Sequence, residues 1–174
     1  NSNYEFRSYK KILPIIEGRV FTKNVILCDD DIFYPPDWLK LLLRQINRSP
    51  NGVVGTAGHL QTFLPNGEVD KYSKWLKRVS NSNSKNILLT GAGGIAFKAT
   101  TISQSSLNNY DFMEVCPNND DLWIHYIVLR NAVSHTTRSV LLPQLNPFDV
   151  HALYHVNGSG RLDREMLFLQ AYLA

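Results

Sequence analysis

The sequence predicts an α/β domain with a largely parallel sheet. Short apolar runs alternate along the chain with stretches of helical periodicity, which is the pattern of strand–helix–strand units. The chain has 174 residues, of which 44% are hydrophobic and 19% charged, so it can bury a core as one domain, or two at most. Residues 1–174 contain no internal repeat and are predicted to form a single domain.

The first predicted elements are a short helix, a strand and a longer helix. Residues 9–17 are predicted as a helix that Pro14 interrupts, because proline has no N–H to donate and clashes with the preceding turn. Residues 25–28 are an apolar run of strand length. Residues 38–46 carry apolar side chains on one face and are predicted as a helix capped by Asp37.

The middle of the chain is predicted to hold three strands and one long polar segment. Apolar and polar side chains alternate enough in residues 53–62 to predict a strand. Residues 87–90 and 95–98 are predicted as short strands on either side of a glycine-rich turn. Residues 70–86 are polar and rich in Lys, Ser and Asn. This composition predicts a mobile loop or an insertion.

The last third of the chain predicts two helices around a late strand. Residues 122–131 form a helix that acidic residues open, and residues 140–142 look like a strand. The segment from Asp163 onward is predicted as a terminal helix.

Composition excludes several classes of protein. A net charge of +3 is too weak to predict nucleic-acid binding. Cys28 and Cys116 lie far apart without zinc-site spacing, so a reducing, cytoplasmic compartment is expected, with contact at the inner face of the membrane left open. No run approaches the roughly 20 apolar residues of a membrane span. The chain starts at Asn1 without Met and is predicted to be an excised portion of a longer protein.

Three consecutive aspartates, Asp29, Asp30 and Asp31, follow the first apolar strand. A strand that ends in acid places carboxylates at the edge where open α/β sheets bind ligands. Adjacent like charges repel, and a divalent cation makes such a cluster favourable, so the run predicts a metal or phosphate site. The alternative is a solvated turn that leads into the following helix.

Two further motifs complete a candidate site. The turn of residues 91–94 has the sequence Gly-Ala-Gly-Gly, and missing side chains let the backbone approach a bulky ligand. Asp120 and Asp121 begin a helix, where the dipole favours ionised carboxylates, although acids in a first turn are also ordinary capping residues. Together the motifs predict a site that holds a metal-bound diphosphate, seats a sugar and deprotonates a hydroxyl.

The chain resembles the GT-A glycosyltransferases, particularly the inverting family 2 type of bacterial polysaccharide synthesis. The resemblance rests on "VILCDDDIFYPPDWL", "TGAGGIAFK" and "NNDDLWIHYIVLRN", and it covers about residues 5 to 160. It implies a Rossmann-like fold with a mainly parallel sheet flanked by helices. About a hundred residues that hold the nucleotide base in such enzymes are missing before Asn1, so the resemblance implies an incomplete donor site.

The resemblance also implies roles for the acidic residues. Asp29 and Asp31 match the metal-binding DxD motif, which holds Mn²⁺ or Mg²⁺ and through it the donor diphosphate, with Asp30 between them on the donor side. Asp121 matches the catalytic base. Because this chain has Asp-Asp where the family has Glu-Asp, Asp120 remains an alternative base.

Further donor-site residues follow from the same resemblance. Gly93 and Gly94 belong to the glycine-rich turn that lines the sugar, and Lys11 is a candidate for reaching donor phosphates as a point charge. A solvent-facing lysine is the alternative for Lys11. His155 is a candidate metal ligand, with a structural histidine as the alternative.

The expected substrates are a nucleotide-sugar donor, a UDP-sugar in the first place, and a saccharide or lipid-linked acceptor. Residues 71–85 combine lysines with Tyr72 and Trp75, which suits a lid, a face for anionic lipid or a solvated surface.

Three other classes of protein share some of these motifs. Gly91, Gly93 and Ala96 fit a loose dinucleotide fingerprint, but a strand follows them where a helix is required. A phosphatase of the DxD type would need a threonine soon after the acids, and none is present. A non-catalytic carbohydrate- or nucleotide-binding domain derived from a glycosyltransferase remains the alternative.

Overall fold

Two β-sheets form the framework of the computed structural model, which describes residues 6–19, 23–49, 52–130, 132–138, 140–143 and 160–174. In these ranges the strands are β1 (Asn24–Leu27), β2 (Gly52–Gly55), β3 (Gly58–Leu60), β4 (Asn83–Ser84), β5 (Ile87–Leu89), β6 (Ile95–Lys98) and β7 (Val133–Thr136). The five-stranded sheet has the order β1-β6-β2-β7-β4, and β3 pairs with β5 in a second sheet.

The fold is mixed α/β, but the prediction of a mainly parallel sheet is wrong. Only β2 and β7 pair in parallel among the described strands, whereas β6 is antiparallel to both β1 and β2, and β4 is antiparallel to β7. Strands β1 and β2 do run in the same direction, as a strand–helix–strand unit requires. They are not neighbours, because β6 enters between them in the opposite direction.

This arrangement brings three segments to one edge of the sheet. Leu27 at the end of β1 and Gly55 at the end of β2 both pair with Ile95 at the start of β6. The aspartates that follow β1 and the glycine turn that precedes β6 therefore leave the sheet at the same edge.

The helices cover this framework. In the described ranges they are α1 (Leu13–Ile16), α2 (Trp38–Arg48), α3 (Phe112–Val115), α4 (Asp120–Trp123) and α5 (Leu162–Leu173). A 3₁₀ turn, Arg7–Lys11, precedes α1, and a π-helical turn, Ile124–Val128, continues α4. Helix α2 packs on β2 and β6 through Trp38, Leu42 and Ile46, which recur at the spacing of one helix face. No helix in the described ranges has the length and hydrophobicity to cross a bilayer.

Most elements lie close to their predicted positions. The strands predicted at 25–28, 87–90 and 95–98 and the helices at 38–46 and after Asp163 are confirmed to within a few residues. Asp37 does stand at the start of α2, but its side chain makes no capping hydrogen bond. It accepts a hydrogen bond from Arg138 at 2.9 Å instead.

Other predicted boundaries are wrong. Residues 53–62 do not form one strand, because the chain bends after Gly55 and divides them between β2 and β3. The helix predicted over 122–131 is the short α4 and its π-helical turn. Residues 140–142 are not a strand, and the late strand is β7. Its sequence did not indicate a strand, because Ser134 and Thr136 are polar although both are buried.

The polar segment of residues 70–86 contains β4 and a 3₁₀ turn, Tyr72–Lys74. Trp75 is only 3% exposed, and its indole N–H donates to the Asp70 carbonyl at 2.8 Å. Leu76 exchanges two backbone hydrogen bonds with Leu60. The segment is thus joined to β3 by backbone pairing and contains one buried aromatic ring, while its mobility stays a prediction.

Candidate functional site

The ammonium of Lys11 lies among three carboxylates from two other segments. Its Nζ is 2.6 Å from Oδ1 of Asp29, 2.8 Å from Oδ2 of Asp120 and 4.0 Å from Oδ1 of Asp121. Lys11 closes the first 3₁₀ turn, Asp29 follows β1, and the other two open α4. We call Asp29, Asp120 and Asp121 the acid cluster. The structure therefore brings together acids that lie far apart in the sequence.

Gly91 joins the glycine turn to the acid cluster. Its N–H donates to Oδ1 of Asp121 at 2.9 Å. A Cβ atom at this position would lie 2.4 Å from Nζ of Lys11 and 2.5 Å from Oδ1 of Asp29, well inside van der Waals contact. A side chain at this position would require Lys11 and Asp29 to move, and so would disturb their ion pair.

Tyr34 is a member of the site that the sequence did not reveal. Its hydroxyl accepts the Asp29 N–H at 3.1 Å and donates to the Gly91 carbonyl at 3.2 Å. Its ring packs on Trp38 with the ring centroids 4.1 Å apart. Tyr34 thus links the loop after β1 to the glycine turn, and its place beside two prolines carries no signal of this role.

The charges in the site do not balance. Burial lowers the pKa of Lys11, but the charges of Asp121, Asp120 and Asp29 outweigh it and raise this pKa above its ordinary range. Burial raises the pKa of Asp29 and of Asp121, and the Asp120 carboxylate raises both further, while Lys11 lowers them. One ammonium faces three carboxylates, so the acid cluster has an excess of negative charge that a proton or a metal cation would reduce.

Exposure separates the two candidate bases. The Asp121 side chain is 28% exposed, whereas that of Asp120 is 9% exposed and is held by Lys11. A base must reach the proton that it removes. The geometry favours Asp121 over Asp120 for contact with a substrate.

Asp30 and Asp31 are predicted site residues that do not belong to the acid cluster. Both are exposed, and the Asp31 charge contributes to the raised pKa of Asp29. His155 lies outside the described residues.

Gly93 and Gly94 are buried beneath the site. The Gly93 carbonyl accepts from the Trp38 indole at 3.0 Å and from the Thr56 hydroxyl at 2.6 Å. Gly94 has φ +76°, and a Cβ there would lie 2.2 Å from Trp38. These two glycines shape the turn, and Gly91 is the one that touches the acid cluster.

The residue types of this site suit a divalent cation, but their arrangement does not form a metal site. Within the described ranges no three His, Cys, Asp or Glu side chains are arranged to hold a metal ion. Asp29 forms an ion pair with Lys11, whereas the resemblance predicts that it holds a cation together with Asp31. However, carboxylate oxygens are the ligands that Mg²⁺ and Mn²⁺ prefer, and the excess of negative charge favours a cation.

A small cavity of about 10 Å³, close to the least volume that can hold one water, borders Asp121. Asp121, His125 and Ser134 supply its polar wall. Burial lowers the pKa of His125 to about 4, so its imidazole is neutral at neutral pH. His125 can form hydrogen bonds in this cavity, but it does not offset the negative charge.

The raised pKa of Asp121 predicts a dependence of stability on pH. A carboxyl whose folded-state pKa is raised stabilises the protein in acid, and this contribution is lost as pH rises from about 4 through the folded-state pKa. We expect Asp121→Asn to become more stable than the wild type as pH increases, by on the order of 2 kcal/mol above that pKa. Urea unfolding of both proteins at several pH values measures the difference.

The comparison with the wild type is needed because buried histidines act in the opposite direction. Burial lowers the pKa of His59 and of His125 to about 4, so each adds stability as pH rises towards about 6.5, the ordinary histidine value. The difference between the two proteins cancels this effect. A difference that does not change with pH would contradict the raised pKa of Asp121.

Comparison with known proteins adds no assignment to this site. No protein-family model matches the chain, and a search of curated proteins finds no match. The functional conclusion therefore depends on the chemistry of the acid cluster, Lys11 and Gly91.

Proposed function

We propose that this chain transfers a sugar from a nucleotide-diphosphate sugar to an acceptor hydroxyl, with inversion at the anomeric carbon and in a GT-A-like, Rossmann-like arrangement. The observation that carries the proposal is the meeting of Lys11, the acid cluster and Gly91 at one edge of the sheet. Open α/β sheets bind ligands at the carboxyl ends of their strands, which is where Asp29 lies.

Asp121 is the proposed general base. Its side chain is partly exposed, and the Gly91 N–H holds one oxygen in place. A carboxylate whose pKa is raised accepts a proton more readily than an ordinary one, as a base that acts near neutral pH must. Asp121 would remove the proton of the acceptor hydroxyl as this oxygen attacks the anomeric carbon.

Lys11 and the aspartates after β1 form the proposed donor side. Lys11 provides a fixed positive charge that can approach a phosphate oxygen. Asp29 and Asp31 would hold Mn²⁺ or Mg²⁺, which when bound offsets the negative charge of the diphosphate. Asp120, buried against Lys11, keeps the ammonium directed at this side.

The segment of residues 70–86 borders the proposed acceptor side. Burial raises the pKa of the Tyr72 phenol, and the charge of Asp121 raises it further. Nζ of Lys77 lies 2.9 Å from the centroid of the Tyr72 ring. The Tyr72 ring suits a saccharide or a lipid-linked acceptor, and the exposed lysines of the segment suit contact with an anionic membrane surface.

Metal-dependent binding of UDP is the direct test. Calorimetric titration with UDP should give binding in the presence of Mn²⁺ and much weaker binding without it. We expect Asp31→Ala to abolish the Mn²⁺-dependent part and to leave the fold nearly intact, since its removal relieves repulsion in the site. Asp37→Ala is the matched control, because Asp37 is exposed and its ion pair with Arg138 is a surface pair of small energy.

The titration also decides the metal assignment. Unchanged Mn²⁺-dependent affinity in Asp31→Ala would remove Asp31 from the metal site. Equal loss in Asp37→Ala would show that the effect is general to the loop.

One observation favours the non-catalytic alternative. Lys11 already places a positive charge inside the acid cluster, so a nucleotide or a carbohydrate could bind there without a metal. Binding of UDP that is the same with and without Mn²⁺, together with no sugar transfer, would select this alternative. Metal-dependent binding with turnover would select the transferase.

A further inference from the structure

Glu165 is a buried carboxylate in α5, on an element that the proposed chemistry does not use. It is 4% exposed. Its Oε1 accepts from the Asn118 amide at 2.8 Å, and its Oε2 accepts from the Asn119 amide and from the Cys116 thiol, the latter at 3.4 Å. A buried carboxylate is costly unless its oxygens are hydrogen-bonded, and these donors satisfy both oxygens. We call Cys116, Asn118, Asn119 and Glu165 the Glu165 cluster.

Asn119 connects the Glu165 cluster to the start of α4. Its carbonyl accepts the N–H groups of Leu122 at 3.1 Å and Trp123 at 3.4 Å, so it belongs to the first helical turn. The single hydrogen of the Cys116 thiol is shared between this carbonyl, 3.1 Å from Sγ, and Oε2 of Glu165. The side chain of Asn119 is therefore held by α5 while its main chain begins the helix that carries Asp120 and Asp121.

The same cluster also reaches the segment that carries Lys11. The Tyr9 hydroxyl donates to the Cys116 carbonyl, and the Tyr9 ring stacks on Phe112 with centroids 4.1 Å apart. Tyr9 precedes Lys11 by two positions in the same 3₁₀ turn. Both sides of the ion pair between Lys11 and Asp120 are thus attached to the Glu165 cluster.

We propose that Glu165 is a positioning residue for the acid cluster. By holding Asn118 and Asn119 it sets the direction of the first turn of α4, and so the places of Asp120 and Asp121 relative to Lys11 and Gly91. The catalytic part of this inference rests on the proposed function, whereas the structural part does not. Displacement of a catalytic group by about 1 Å can lower a rate by roughly 10²-fold, so the direction of this turn matters.

A carboxylate is required at this position because two amide groups and a thiol all donate to it. In Glu165→Gln the carboxamide has one oxygen and one NH₂ group. Its oxygen can accept from Asn118, but its NH₂ group then faces the NH₂ group of Asn119. Two donors cannot form a hydrogen bond, so we expect the first turn of α4 to shift in this variant.

The Gly91 amide is a reporter of the shift that needs no activity. It donates to Oδ1 of Asp121, so its ¹H–¹⁵N resonance follows the titration of that carboxyl. In Glu165→Gln we expect a different titration midpoint at Gly91 and hydrogen exchange of this amide about 10-fold faster. Glu114→Gln is the matched control, since Glu114 is an exposed glutamate on α3, and it should leave Gly91 unchanged.

A rescue variant separates positioning from general loss of stability. Adding Asn119→Asp to Glu165→Gln exchanges the donor and the acceptor of this hydrogen bond. The amide NH₂ group at position 165 then donates to the carboxylate at position 119, while the amide oxygen at position 165 still accepts from Asn118. We expect this double variant to restore slow exchange at Gly91. If Glu165→Gln does not fold, Asn119→Ala gives the same test, because it removes one contact and leaves the pair of Glu165 with Asn118.

Turnover is the second measurement. If the chain is a transferase, Glu165→Gln should lower kcat by roughly 10-fold or more with little change in the KM for the donor, and the double variant should recover kcat. A change at Gly91 in a protein without transferase activity would support the positioning and refute the proposed function. Gly91 behaviour identical to wild type in both Glu165→Gln and Asn119→Ala would overturn the proposal.

Discussion

We expect Asp121→Asn to lower turnover by roughly 10²-fold or more, the range that removal of a general base reaches, if Asp121 is the proposed base. Asparagine keeps the shape of the side chain and can still accept the Gly91 N–H through its oxygen, but it cannot take a proton. Donor affinity should change little, because the proposed role of this carboxylate is on the acceptor side. Steady-state kinetics of the full chain, with donor and acceptor varied separately, measure both effects.

Asp120→Asn is the comparison for this experiment. Asp120 is more buried than Asp121 and pairs with Lys11 at 2.8 Å, so its loss should reduce stability more than it reduces turnover. The anomeric configuration of the product, read by NMR, tests inversion in the same reaction. A fully active Asp121→Asn protein, or a product that retains the configuration of the donor, would refute the assignment of Asp121.

Lys11→Met leaves the acid cluster without its positive charge. We expect a loss of about 3 kcal/mol in the free energy of unfolding at neutral pH, since removing one partner from a buried ion pair typically costs 3–5 kcal/mol and this site is partly exposed. Lys10→Met is the matched control, because the neighbouring Lys10 is exposed in the same 3₁₀ turn. Urea unfolding of both variants measures the loss.

The loss depends on pH in a direction that the cited pKa values define. The pKa of Lys11 is raised in the folded protein, so its stabilisation is present below about pH 10.4, the unfolded value, and disappears as pH rises through the folded-state pKa. In acid the carboxylates become protonated and no longer need the ammonium. Lys11→Met and the wild type should therefore converge below about pH 4.

Mn²⁺ distinguishes a structural lysine from one that shares the site of a cation. In Lys11→Met a divalent ion can take the place of the ammonium, so added Mn²⁺ should raise the melting temperature of this variant more than that of the wild type. Equal stability of Lys11→Met and Lys10→Met would mean that the ion pairs of Lys11 contribute nothing to the fold.

Local patterns in the sequence predicted most of the secondary structure. The apolar residues of β1 and β6 and the one-sided apolar face of α2 specify their elements directly, because periodicity depends only on neighbours along the chain. The direction of a strand in its sheet, by contrast, depends on residues that are distant along the chain. A short apolar strand has the same sequence pattern whether the neighbouring strand is parallel or antiparallel to it. The insertion of β6 between β1 and β2 therefore could not be predicted.

The candidate site shows the same division. Residue type and placement at strand or helix ends made Asp29, Asp120 and Asp121 functional candidates, and the resemblance to GT-A glycosyltransferases added Lys11. It did not identify the contacts of Tyr34 with Gly91 or of Glu165 with Asn119, which join residues 57 and 46 positions apart. Nothing in a local pattern specifies such pairs.

By itself, the sequence determined an α/β chain with acids at the ends of regular elements and a glycine-rich turn between two short strands. The tertiary structure decided that β6 runs against β1 and β2, that Lys11 lies inside the acid cluster, and that Gly91 rather than Gly93 or Gly94 touches it. The physical reason is that helix and strand propensities arise from interactions over a few residues. Charge balance and close packing depend instead on which distant segments share one edge of the sheet.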